Sequence, residues 1–251
     1  MSDLFGELRE LVHTGMDAAR AHELCALIER QRELDPESYR DVWIPYLTGV
    51  GRGWDFPLTT VHGLDTLATW STIAPFARFR LSLRTSSPRL VKERLDSRLF
   101  PRVCALHVDG RRYLHRGYTY AHKISSSRSI ATLDVLHLED VTLGHDNVAK
   151  LLDTPHLTNL RELVLESHTA GPIGAAHIAT SEALPNLRTL RLSYDELDDG
   201  TALAIAASPN LPKLGHLDVS GGELTQEGID ALRGARPTLH VVHTPWSATN
   251  A

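Results

Sequence analysis

The chain has 251 residues, 42% hydrophobic and 23% charged, and a net charge of −5 at neutral pH. That length can bury a sizeable core in one large domain or two small ones, and the composition is that of an ordinary globular protein. No apolar run approaches the roughly 18 residues needed to span a bilayer. Two distant cysteines, Cys25 and Cys104, make neither a disulfide framework nor a zinc site.

The charge is segregated. Residues 1–77 carry 6 basic and 12 acidic side chains, residues 78–128 carry 13 and 3, and residues 129–251 carry 7 and 16. A basic belt thus lies between two acidic blocks. Such a belt suits an anionic partner, but internal neutralisation by its neighbours is the favoured reading. The N-terminus shows no basic stretch followed by an apolar run, so no signal peptide is expected; with the unpaired thiols this predicts a cytoplasmic protein.

In chain order, residues 2 to about 33 read as two helices. Leu4, Leu8, Leu11 and Val12 share a helical face, and after Thr14-Gly15 so do Ala18, Ala21, Leu24, Cys25 and Ile28. Asp17 suits the N-cap of the second. A third helix follows Asp35, with Pro36 at its first position and Tyr39, Val42, Trp43 and Leu47 on one face. Trp43 and Tyr46 read as core. The glycine-rich segment from Gly49 to Pro57 matches no phosphate-binding spacing and reads as a linker, with Trp54 and Phe56 packing over the end of the repeat array.

That array is set by a rhythm of apolar residues. Leu133-x-x-Leu136-x-Leu138, Leu160-x-x-Leu163-x-Leu165, Leu187-x-x-Leu190-x-Leu192 and Leu214-x-x-Leu217-x-Val219 succeed one another at 27 residues. Val103-x-x-Leu106-x-Val108 stands 30 residues earlier, and Phe76-x-x-Phe79-x-Leu81 another 27 before that. Leu239-x-x-Val242 reads as a degenerate closing strand, with Trp246 as a lid. Within each unit the apolar period changes from 2 to about 3.6. Leu143, Ala170, Leu197 and Leu224 share a register, followed by Val148/Leu151, Ala175/Ile178, Ala202/Ile205 and Ile229/Leu232 at helical spacing, with Leu157, Leu184 and Leu211 closing three units. Each unit is therefore one strand, a turn and one helix, too small to bury its own apolar surface unless stacked.

These repeats, Ala202 to Ser220 above all, resemble the leucine-rich repeat proteins, particularly the ribonuclease-inhibitor-like class and its bacterial relatives. The resemblance covers roughly residues 76–244. It implies an α/β solenoid with a parallel sheet on the concave face, helices on the convex face and a role in protein recognition. The chain departs from the family where an asparagine ladder often stands, having Val141, His168, Asp195 and Gly222 there. On this reading residues 1–75 form a helical N-terminal cap, and residues 76–251 form a solenoid of about six units with a degenerate C-terminal cap.

Strand alternation sends the residues between the leucines to the concave face. One row holds Ala105, Val135, Glu162, Thr189 and His216. The next holds Arg80, His107, His137, Val164, Arg191 and Asp218, and the third Asp109, Glu139, Glu166, Ser193 and Ser220. From these, Arg80, His107, Asp109, His137, Glu139, Glu162, Glu166, Arg191, His216 and Asp218 are the candidate partner-binding residues. His107 and His137 should stand side by side near Asp109, Glu139 and Glu166. Such a group suits a divalent metal, but mutually paired charges on a solvated sheet are the preferred reading, and no metal or cofactor is assigned.

A second candidate surface is Arg111, Arg112, Arg116, Tyr118, Tyr120 and Lys123, in the one oversized unit, where cations interleaved with tyrosines suit nucleic acid or another polyanion. Tyr113, in the register of Leu143, reads as core. No nucleophile elbow, zinc-protease helix or phosphate loop occurs, so the expectation is a non-enzymatic module whose partner is another protein, with no membrane and no small-molecule substrate. The alternative is an accessory protein that holds a polyanion through 78–128.

Overall fold

A computed structural model of the chain describes residues 4–14, 20–50, 58–74, 77–85, 87–110, 117–141, 143–166, 171–193 and 197–244. The fold is α/β. Eight strands form one parallel sheet in chain order: β1 Thr60–Val61, β2 Phe79–Arg84, β3 Val103–Asp109, β4 Val135–Glu139, β5 Glu162–Glu166, β6 Thr189–Ser193, β7 His216–Asp218 and β8 His240–Val242. Two compact units divide the chain, 1–82 with 101–105, and 83–100 with 106–251, so the division passes through β2 and β3.

The first unit opens with α1 (Leu4–His13) and α2 (Ala21–Leu34). Leu4, Leu8, Leu24 and Ile28 are buried as their spacing predicts. The expected third helix has three parts: α3 (Pro36–Ser38), a π-helical turn over Tyr39–Trp43, and α4 (Ile44–Val50). Asp35 caps it, its carboxylate accepting from Ser38 N at 3.0 Å. In the π turn Ile44 N donates to Tyr39 O, five residues back. The wider turn stacks i+4 rather than i+3 over i, so Tyr39, Trp43 and Leu47 are buried. Val42, expected on that face, is instead 46% exposed. Phe5 packs on the rings of Trp43 and Tyr46, at centroid distances of 6.1 and 5.4 Å.

The region expected to form a helical cap also contains β1, whose Thr60 and Val61 pair with Arg80 and Leu81, and α5 (Leu64–Ile73). Both cysteines are free and buried. Cys25 Sγ points at Leu58 O and Cys104 Sγ at Phe79 O, and burial pushes the Cys25 thiol up to about 11, which keeps it protonated and unreactive. Asp17, Ala18, Trp54, Phe56, Phe76, Tyr113, Ala170, His168, Asp195 and Trp246 lie outside the described residues.

In the second unit the 27-residue rhythm becomes strand register. Leu136 pairs with Leu163, Leu163 with Leu190, and Leu190 with Leu217. All four are at most 1% exposed. The helices α6 (Pro88–Leu95), α7 (Gly117–Ser125), α8 (His145–Leu152), α9 (Gly171–Thr180), α10 (Asp199–Ala206) and α11 (Gln226–Ala235) pack each on the next. Val148, Leu151, Ala175, Ile178, Ala202, Ile205 and Leu232 line their buried side. Ile229, in the last helix, is half-exposed.

Polar stitches join successive repeats. Asp134 O accepts from Arg161 N and Glu162 N, Arg161 O from Arg188 N and Thr189 N, and Arg188 O from Gly215 N and His216 N. Alongside runs a side-chain seam: Asn159, Asn186 and Asn210 each donate an amide N–H to a carbonyl 28 to 30 residues earlier, of Ala131, Thr158 and Thr180, at 2.9, 2.7 and 2.8 Å. After α11 the Arg236 guanidinium gathers three carbonyls, those of Leu211, Ser208 and Leu214, at 2.9, 3.0 and 3.3 Å. At two of the positions where an asparagine ladder was absent, Val141 is buried and Gly222 N donates to Val219 O.

Candidate functional site

Along β4 the residues alternate between buried and half-exposed, and Leu136 and Leu138 are the buried ones. Val135, His137 and Glu139 therefore share the less covered face, as do Glu162 and Glu166 on β5 and Thr189 and Arg191 on β6. Val164, expected there, is only 3% exposed. Its register neighbours are His137 and Arg191.

The ionisable groups on this face pair across strands on the diagonal. His107 Nε2 lies 2.9 Å from Glu139 Oε2 and His137 Nε2 lies 3.4 Å from Glu166 Oε2. In the second pair the register partner of His137 is Val164 and that of Glu139 is Glu166, so the imidazole reaches two residues along the next strand. Arg191 Nε stands 3.8 Å from Glu162 Oε1 along the same diagonal, with acid and base exchanged between the strands. Arg84 Nε meets Asp109 Oδ2 at 2.9 Å. The rings of His107 and His137 stack at 4.3 Å with 22° between their planes. The structure thus brings His107, His137, Glu139 and Glu166 together as the row pattern predicts, and it pairs their charges.

The contact between His137 and Glu166 is off the line of a good hydrogen bond, because His137 Nε2 is shielded from solvent yet makes no aligned one. The imidazole beside it is still the first reason that the Glu166 carboxyl is held below its ordinary value, with Arg191 and His107 adding their charges and partial burial opposing. A carboxyl whose value is depressed on folding stabilises the protein above its unfolded value of 4.5, and that stability is lost as pH falls through the lower folded value. Glu166→Gln should therefore lose less stability than the wild type between roughly pH 5 and pH 3. Urea unfolding at both pH values reads this, and equal losses would show that the pairing contributes nothing.

The other expected residues are spread out. Arg80 belongs to the first unit, opposite Thr60. The Asp218 carboxylate turns back to accept from Ser220 N at 3.0 Å. His216 has a partner that the repeat pattern does not reveal: it stacks on His240 at 5.0 Å with their Nδ1 atoms 3.1 Å apart, one donating and the other accepting. The signal was the pairing of the degenerate closing strand β8 with β7, which sets His240 beside His216.

In the basic segment Arg111, Arg112 and Arg116 lie outside the described residues, as does the Tyr118 side chain. Tyr120 corrects the expectation of an exposed stacking ring. It is 2% exposed, and its hydroxyl donates to Thr85 O at 2.7 Å. The reason is helical phase: Tyr120, Ala121 and Ile124 form the buried stripe of α7. Lys123, on the same helix, is half-exposed. Elsewhere in the belt Arg89 pairs with Glu93 and Lys92 with Asp96.

Among the described residues no helix is long and apolar enough to cross a membrane. No protein-family model matches the chain, and no curated protein matches it.

Proposed function

We propose that the chain is a non-catalytic interaction module of the leucine-rich-repeat type, acting in the cytoplasm, which docks another protein on the sheet face that carries His107, His137, Glu139, Glu162, Glu166 and Arg191. One observation carries the reading: along the sheet's central strands one face is leucine and buried, while the other, Val164 and Ser193 apart, is half-exposed or exposed and set with alternating charge. A parallel sheet in a doubly wound fold buries both faces. The single strand order in chain sequence and the 27-residue register support a solenoid instead. The paired charges would give such a surface register and selectivity more than raw affinity.

The basic segment is the weaker surface, since Tyr120 is turned inward and Arg84, Arg89 and Lys92 meet acids within the belt. The test is quantitative affinity purification from the source cells with three forms of the chain: wild type, the double variant Glu139→Lys/Arg191→Glu, and Glu227→Lys on α11 as a control. Proteins retained by the wild type and by Glu227→Lys should fall at least tenfold with the double variant. Equal recovery with all three would remove this face from the interaction.

A further inference from the structure

We propose that His107, His137 and Glu139 form a binding site for a divalent transition-metal ion of the zinc class. One ligand atom from each of the three lies within 4.8 Å of the others, and all three side chains are half-buried on neighbouring strands. A tetrahedral zinc site needs nitrogen and oxygen donors about 3.3 Å apart, at bond lengths of about 2.0–2.2 Å. His107 Nε2 and Glu139 Oε2 are already closer than that, at 2.9 Å. The remaining separation closes by side-chain rotation of about 1.5 Å, with no movement of the sheet that holds the residues.

Two features separate this group from an ordinary paired surface. His107 and His137 are stacked at 4.3 Å, which brings two imidazole ligands to one place. His137 Nε2 is in addition withdrawn from solvent, with Glu166 Oε2 at 3.4 Å but not aligned for a hydrogen bond, a polar atom incompletely satisfied by its surroundings. A metal ion satisfies it directly. Glu166 Oε2, 3.4 Å from that nitrogen, lies outside the three-ligand group but adds negative charge next to it. Imidazole with carboxylate suits zinc, nickel and copper in preference to magnesium or calcium. On binding, the nitrogen that faces the ion gives its proton to solvent or to the other ring nitrogen, so affinity falls on acidification. The inference stands without the docking reading, because it needs no partner protein.

The experiment uses the full chain stripped with a chelator and titrated with zinc sulfate by calorimetry, with cobalt(II) absorption as a second readout of coordination. The wild type should bind one equivalent, and magnesium should give no heat. His137→Ala and Glu139→Gln should each weaken binding at least tenfold, the second with no change of side-chain shape. His216→Ala, which breaks the other histidine pair, should leave affinity unchanged. The proposal is overturned if the wild type takes up no zinc, if Glu139→Gln binds as the wild type does, or if His216→Ala is the change that abolishes uptake.

Discussion

Leu163→Ala should lower the stability of the protein by about 2–5 kcal/mol, the range for truncating a fully buried leucine. Leu163 is 1% exposed and lies in register between Leu136 and Leu190, each equally enclosed. The rigid strands on either side cannot collapse into the space left behind, so both transfer and cavity costs apply. Urea unfolding should show the midpoint falling at unchanged slope. Leu203→Ala is the comparison: Leu203 sits on α10 with 37% of its surface exposed, and its loss should cost under about 1 kcal/mol. Similar losses at both sites would mean that the leucine ladder is not the main source of stability.

Gly110→Ala should cost about 1–3 kcal/mol through overlap rather than through a cavity. A methyl group there would stand 2.6 Å from Asp140 O and 3.0 Å from Val141 Cγ2. The tightest contact is backbone, Asp140 O with its carbonyl carbon at 3.1 Å, which cannot turn aside as a flexible side chain would. Gly110 N also donates to Glu139 O at 2.8 Å, so relief of the overlap stretches the bond that ties the end of β3 to the end of β4. Gly215→Ala is the control, since nothing lies within 4 Å of its methyl position; it should be neutral or slightly stabilising. A thermal melt of the two variants side by side decides, and an undisturbed Gly110→Ala would refute the close approach.

The scaffold was legible because one residue type repeats at a constant interval. Leu136, Leu163, Leu190 and Leu217 are buried together in strand register, as that interval predicts. The candidate site was legible one step further on, because strand alternation sets His107 beside His137 and Glu139 beside Glu166. What escaped was governed by geometry that the rhythm does not carry. β1 is two residues long and pairs with β2 at an offset of 20 rather than 27, so a search at the leucine interval passes over it. Val42 was misplaced by a π turn, which changes helical phase without any marker in composition. Tyr120 looked like a stacking ring because its neighbours are cationic, yet its phase on α7 turns it inward. His240 escaped because the closing strand pairs one residue off the Leu239-x-x-Val242 frame: Leu217 meets Val241, which sets His240 beside His216.

The amide seam of Asn159, Asn186 and Asn210 has an evolutionary consequence. Each asparagine reaches a carbonyl about one repeat earlier, so the donor presented by one repeat matches the acceptor presented by the one before. A gene segment of this length, duplicated or deleted in frame, leaves a join of the same kind on both sides. Such a chain can lengthen or shorten by whole modules with no new interface to invent, and reaches of 28 and 30 residues show that the seam accepts units of slightly different length.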